Sequence, residues 1–145
     1  MGSREESIIS EFCDAWGQGK RPPDVEKIVT MFAPDGYWQL YMPSGPKIQG
    51  RAALRAEILR QMGYVDKPEC NIIRMISSDD TVVTERRDYF TKNGKRALHH
   101  LLAIYELDRD GLITAWREYF DTYDLAQQTK SDPAKLSGLE AQANP

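Results

Sequence analysis

The chain reads as an α+β domain in which helices come first and an antiparallel meander then curves beneath them around a deep pocket. Three observations predict this. Apolar residues recur at helical spacing as far as Met62, and after Pro68 the pattern changes to that of strands. Turn signals at Ser78-Asp79-Asp80, Asn93-Gly94 and Asp108–Gly111 join four strand-like runs by short links, which makes consecutive strands antiparallel neighbours. Two of those runs, Thr84–Phe90 and Ala115–Asp121, carry charge in the middle of half-buried aromatic sequence.

The first helix is expected from about Glu5 to Gly17, with Ser3 as N-cap and Glu6 three residues on. Ile8, Ile9, Phe12, Cys13 and Trp16 form its core-facing stripe. Gly17, Gly19, Pro22 and Pro23 open a loop, and Asp24 leads a short helix carrying Val25, Ile28, Val29 and Phe32. Ala33-Pro34-Asp35-Gly36 reads as a turn and Tyr37–Met42 as a strand, broken by Pro43-Ser44-Gly45-Pro46. Gly50 precedes a third helix, Arg51–Met62, buried through Leu54, Ile58 and Met62. The four strands of the meander are expected at Cys70–Ile76, Thr81–Lys92, Arg96–Asp108 and Leu112–Tyr123. From Thr129 to Pro145 the chain is polar without an apolar period, so residues 1–128 are read as one domain and 129–145 as a flexible tail.

Composition excludes several classes. With 145 residues the chain suits one domain with a real core. A formal charge of −3 argues against nucleic acid or an anionic membrane as partner. No apolar run approaches the ~20 residues that cross a bilayer, and the start lacks the apolar stretch of a signal peptide, so a cytoplasmic location is expected. Cys13 and Cys70 read as small core residues. The two histidines are adjacent, with no second cluster at ligand spacing, so neither a metal nor a cofactor is expected.

Period-two alternation places Arg86, Asp88 and Phe90 on one strand face, and Trp116, Glu118 and Phe120 on one face of another. Carboxylates flanked by aromatics are rarely buried without a partner. If both strands share a sheet, Arg86 sits between Asp88 and Glu118 in an apolar cup. Two carboxyls joined through one cation in a dry site can be pushed apart in pKa, and that arrangement serves acid–base chemistry. A purely structural ion network is the alternative. One of His99 and His100 must face the concave side; if that side includes Leu101 and Ala103, it is His99, a candidate proton carrier, with His100 on the outer face.

The order of elements, with F-A-P-D-G-Y-W (Phe32–Trp38) and I-Q-G-R-A-A-L (Ile48–Leu54), resembles the NTF2-like or SnoaL-like cone. More narrowly, T-E-R-R-D (Thr84–Asp88) and I-T-A-W-R-E-Y-F-D (Ile113–Asp121) resemble the limonene epoxide hydrolase group. The likeness covers residues 5–125. It implies a cofactor-independent hydrolase in which Glu118, standing where that group has an aspartate, draws a proton from water. Asp88 protonates the epoxide oxygen and Arg86 holds both. Gln39-Leu40-Tyr41 stands where the group has a water-holding Y-x-N, so Tyr41 or Gln39 is the expected water ligand.

Trp38, Phe90, Leu101, Trp116 and Phe120 are the expected pocket lining, which suits a small apolar substrate, terpenoid or aromatic. Two other readings stay open. One is a proton-transfer lyase, isomerase or cyclase using an acidic residue or His99, with Tyr41 donating to an oxyanion. The other is a non-catalytic small-molecule-binding module. A homodimer is expected through the outer sheet face, with Arg87, Tyr89, Tyr105 or Tyr119 at the contact.

Overall fold

The computed structural model describes residues 3–129; the remainder of the expected tail, 130–145, lies outside the described residues. Helix α1 (Arg4–Asp14) starts where Ser3 Oγ accepts the Glu6 N–H at 3.1 Å. It ends three residues before the expected Gly17, because that glycine has φ +104° and a side chain there would strike the Arg21 carbonyl. Helix α2 (Val25–Thr30) is capped by Asp24, whose Oδ1 accepts the Lys27 N–H at 3.2 Å. Helix α3 (Arg51–Met62) has the expected bounds.

The strands are β1 (Phe32–Gln39), β2 (Lys47–Gln49), β3 (Asp66–Glu69), β4 (Ile72–Ser78), β5 (Thr81–Lys92), β6 (Lys95–Leu107) and β7 (Ile113–Tyr119). They form one sheet in the order β2-β1-β7-β6-β5-β3, with β4 also on β5. The sheet is antiparallel except where β1 runs parallel to β7. The long hairpin of β5 and β6 turns at Asn93-Gly94, both at positive φ, which is what a two-residue hairpin loop requires.

Four expectations are corrected. Ala33–Gly36 is a bulge inside β1, not a turn: Phe32 pairs with Ile113 and Tyr37 with Ala115, so β1 carries three more residues than β7 over that stretch. Strand β1 stops at Gln39 rather than Met42, since the Gln39 amide turns back to the Pro43 and Gly45 carbonyls. The run Cys70–Ile76 becomes β4 from Ile72, preceded by an unanticipated β3. Finally, Leu112–Tyr123 is a shorter β7 followed by helix α4 (Thr122–Thr129), started by Asp121, whose Oδ1 accepts the Tyr123 and Asp124 N–H groups at 2.9 and 3.3 Å.

The helices pack on the concave face. Ile9, Phe12, Ile28, Val29, Leu54 and Ile58 meet Val82, Ala103, Tyr105, Ile113 and Trp116 of the sheet. Each such large side chain contributes about 1.5–3 kcal/mol when fully buried. Phe12 stands edge-on to Trp116 at 5.0 Å. A second, smaller cluster brings Leu125 and Ala126 of α4 against Tyr41, Phe90 and Phe120. The cavity lies where the two clusters meet, lined by Trp16, Trp38 and Trp116 of one and Phe90 and Leu125 of the other.

Among the described residues no helix is long and apolar enough to cross a membrane.

Candidate active site

Strand β6 runs between β5 and β7, with Leu101 opposite Arg86 and Ala103 opposite Glu118. Arg86 and Glu118 are thus separated by two strand spacings and offset by two residues along them, roughly 12 Å between backbones. The gap is bridged over small Ala103 by two long side chains meeting halfway. Arg86 Nη2 donates to Glu118 Oε2 at 2.9 Å and to Asp88 Oδ2 at 2.8 Å. Arg86 Nε adds bonds to Asp88 Oδ1 and Oδ2 at 3.2 and 3.1 Å. Its Nη1 donates to the Tyr105 hydroxyl, which in turn contacts Thr84 Oγ1 at 3.0 Å. The Arg86 and Glu118 side chains are 3% and 6% exposed and that of Asp88 13%. The expected carboxylate–guanidinium–carboxylate cluster is therefore formed, and it is buried.

The two carboxyls are held differently. Asp88 receives three bonds from Arg86 and one from the Asn71 N–H at 3.2 Å. Glu118 receives one from Arg86 and one from the Trp38 indole at 3.1 Å. Burial pushes Glu118 up to about 7, against the pull of the Arg86 charge and with help from Asp88. Burial also raises Asp88, opposed by the Arg86 charge and by hydrogen bonds from Arg86, Asn71 and Cys70. Burial works against the Arg86 cation, but the groups that face it, Asp88 first, together outweigh burial and keep the guanidinium charged. Glu118 is the more basic carboxyl because fewer donors stabilise its anion.

The cavity above the cluster measures about 110 Å³. That is the scale of the engineered cavity of about 150 Å³ that admits benzene. Trp16, Trp38, Met62, Phe90, Trp116 and Leu125 supply its apolar wall, and Arg86, Asp88, Glu118 and His99 its polar end. His99 lies opposite Asp88 on β6, its ring edge-on to Phe120 at 4.3 Å. Burial, then the Arg86 and His100 charges, lower it to about 3, so the imidazole is neutral. His100 points outward and pairs with Glu85 at 3.2 Å.

Of the expected lining, Trp38, Phe90 and Trp116 face the cavity, but Leu101 and Phe120 do not. Leu101 is buried beneath it and Phe120 packs with α4. Gln39 and Tyr41 are also outside the lining. Alternation turns Gln39 away while Trp38 points in, and Tyr41, beyond the end of β1, packs on Phe120; the Trp38 indole instead donates to Glu118 itself. Tyr105, expected on the outer face, is fully buried beneath Arg86. Its parity with His99, Leu101 and Ala103 was the available signal. Cys13 is a core residue as expected, whereas Cys70 lines the cavity. The contact from the Asn71 backbone had no signal in the sequence. Among the described residues no group of His, Cys, Asp and Glu is placed to hold a metal.

Comparison with known proteins gives one family and several relatives. The family model of the SnoaL-like domain matches residues 9–116. Epoxide hydrolase EphG of Mycobacterium tuberculosis is 37% identical over 70 residues, a match spanning 48% of this chain and 46% of that protein, so the chain matches under half of that relative's length. The structure of an M. tuberculosis LEH-like epoxide hydrolase superimposes with a TM-score of 0.73 at 25% identity, covering 95% of this chain and 96% of the other. A polyketide cyclase candidate from Xanthomonas campestris pv. campestris superimposes with a TM-score of 0.74 at 20% identity, over 87% of this chain and 96% of the other, a likeness of fold alone.

Proposed function

The chain belongs to the SnoaL-like domain family, and from that premise we propose that it hydrolyses the epoxide of a small, largely apolar ring compound. The observation that carries this reading is Arg86 bridging Asp88 and Glu118 at 2.8 and 2.9 Å at the floor of an apolar cavity. The likeness to an epoxide hydrolase in sequence, and to an LEH-like epoxide hydrolase in structure, supports it.

In this mechanism Glu118 takes a proton from water as the oxygen forms a bond to one epoxide carbon. The bond from that carbon to the epoxide oxygen breaks, and Asp88 delivers its proton to the departing oxygen. The product is a vicinal diol, and a proton passing from Glu118 to Asp88 resets the site. Trp38 steers Glu118, and Arg86 holds both carboxyls within reach of one substrate.

The cluster titrates as one unit holding a single proton in its active form. Because Glu118 is the more basic carboxyl, the reactive arrangement is the less populated one, but in it each group is the stronger catalyst for its step. The kcat/KM profile should therefore be bell-shaped. Turnover of a ring epoxide in heavy-oxygen water tests the reaction: the diol should carry one labelled oxygen after a single turnover. Label appearing only after several turnovers would mean attack by a carboxylate of the protein and would overturn the proposal.

His99 favours a second reading, a proton-transfer lyase, isomerase or cyclase. Its neutral imidazole faces Asp88 across β5 and β6, and its Nε2 is buried without an acceptor or donor in the protein. Loss of turnover in His99→Ala with normal turnover in Glu118→Gln would select it. A pocket that binds ring compounds and turns none over would leave a binding module.

We assign the outer sheet face, where exposed Leu102 lies opposite Tyr119, to a second copy of the chain. Sedimentation showing only monomer at micromolar concentration would remove that assignment.

A further inference from the structure

Strands β3 and β4 keep one register against β5, with Glu69 opposite Tyr89 and Ile72 opposite Arg86. Cys70 and Asn71, between them, therefore lie alongside Asp88 and Arg87, and there the strand is interrupted. Asn71 accepts the Arg87 N–H at 2.9 Å but turns its own N–H to Asp88 Oδ1 at 3.2 Å. The Cys70 thiol is a further donor to the Asp88 carboxyl. A short segment outside regular pairing thus grips the acid from the side away from Glu118.

That segment is held in turn by Gln18, in the loop after α1. Its Nε2 donates to the Cys70 carbonyl at 3.1 Å, and its Oε1 accepts the Cys70 N–H at 3.0 Å. One side-chain amide satisfies both backbone groups of Cys70, as a neighbouring strand would. Beside it the Gly19 N–H donates to the Pro68 carbonyl at 2.9 Å. Gln18 makes its bonds from φ +53°, a left-handed backbone that is unfavourable for its side chain. Such strain persists only where the surroundings over-determine it, and it gathers at working sites. Gln18 is absent from the cavity lining, so it acts at one remove.

We propose that Gln18 is a positioning residue for the acid: by clamping Cys70 it keeps the Cys70 and Asn71 donors on Asp88. This deepens the hydrolase reading and rests on it. Without the amide, Cys70 loses both backbone bonds, and the segment is free to draw away from Asp88. An anion with fewer donors is more basic. In a cluster holding one proton, the less basic carboxyl, Asp88, governs the acid limb and Glu118 the basic limb. The other ionisable groups around Asp88 are Arg86 on β5, Glu118 on β7, His99 and Tyr105 on β6, Cys70 itself and Cys13 of α1. All of them are unchanged when Gln18 alone is replaced.

The test is the kcat/KM profile for cyclohexene oxide in wild type, Gln18→Gly and Gln18→Met. Glycine suits the backbone at φ +53° and removes the side chain. Methionine keeps the length and removes the amide. Both variants should carry the acid limb to higher pH by about one unit. The basic limb and KM should stay at their wild-type values. An acid limb unmoved in both, moved in one alone, or moved in parallel with the basic limb would overturn the proposal.

A second measurement needs no turnover. The Asp88 carboxyl carbon, followed by NMR through a pH titration, should titrate at higher pH in both variants than in wild type. That displacement in a protein that opens no epoxide would remove the hydrolase reading and keep the Gln18 clamp. Epoxide turnover by wild type, with the Asp88 titration unmoved in the variants, would remove the clamp alone.

Discussion

Strand β5 carries two ion networks one residue apart. Glu85 faces outward and meets Arg74 at 3.0 Å and His100 at 3.2 Å, with Arg74 71% exposed. Arg86 faces inward and meets Asp88 and Glu118 at nearly the same distances, almost wholly out of water. Each pairs a guanidinium with a carboxylate at a similar separation; the surroundings differ. Water screens the outer network, which leaves it worth about 0–1 kcal/mol. The inner one is costly to bury and costlier to break, and its carboxyls are driven out of their ordinary range. Distance alone does not make a reactive pair; dryness does.

The largest test of this contrast is Arg86→Ala. It leaves two buried carboxyls facing each other and should lower stability by roughly 3–5 kcal/mol, read from the denaturant midpoint. Arg74→Ala outside should cost less than about 1 kcal/mol, and equal losses would erase the distinction.

Next comes Glu118→Gln, which keeps the shape but removes the base and should reduce turnover by ~100-fold or more with folding intact. Asp88→Asn should act similarly. If Glu118→Gln retained activity while Asp88→Asn did not, Glu118 would not be the base and the hydrolase mechanism would fall.

The stability of these proteins sharpens the point. Glu118 keeps its proton in the folded state up to about 7, above its ordinary 4.5. Its contribution is complete below 4.5 and is lost as pH rises through 7. Wild type should therefore lose on the order of 2–3 kcal/mol relative to Glu118→Gln between pH ~4.5 and ~8. A constant difference across that range would contradict the buried-carboxyl assignment.

His99 has the opposite sign. Its folded value of about 3 lies below the ordinary 6.5, so its contribution is present above 6.5 and is lost as pH falls toward 3. Melting temperatures of His99→Gln should fall less steeply over that acid range than those of the wild type. The smallest effect is expected of Asp121→Asn, which still caps α4 and lies outside the cavity lining. It should change turnover little.

The inner cluster was legible because alternation is strict over long strands: β5 and β6 pair without a slip from Thr81 to Lys92. What alternation could not supply was the contact made from elsewhere. The Trp38 bond to Glu118 depends on the parallel pairing of β1 with β7, which sets Trp38 beside Trp116. That pairing is non-local and leaves no periodic trace. Helix α4 was hidden for a different reason: only eight residues long, it buries just Leu125 and Ala126, too few for a stripe. The bulge in β1 was misread as a turn because Pro34, Asp35 and Gly36 serve either purpose. Tyr105 was legible and misassigned, since aromatic character suggested an outer contact where parity pointed inward.

The sheet order has a consequence for how the molecule behaves in a crowded solution. One margin is β2, three residues long with Lys47 and Gln49. At the other, β5 is shared by β3, which carries Lys67 and Pro68, and by β4. Short, charged or proline-bearing margins offer few free backbone groups to a neighbouring chain. The one margin of real length is β4, where exposed Ile73 and Ile76 flank Arg74. Intermolecular strand pairing, and with it aggregation, has a single place to begin among the described strands. The Arg74 charge stands in the middle of it.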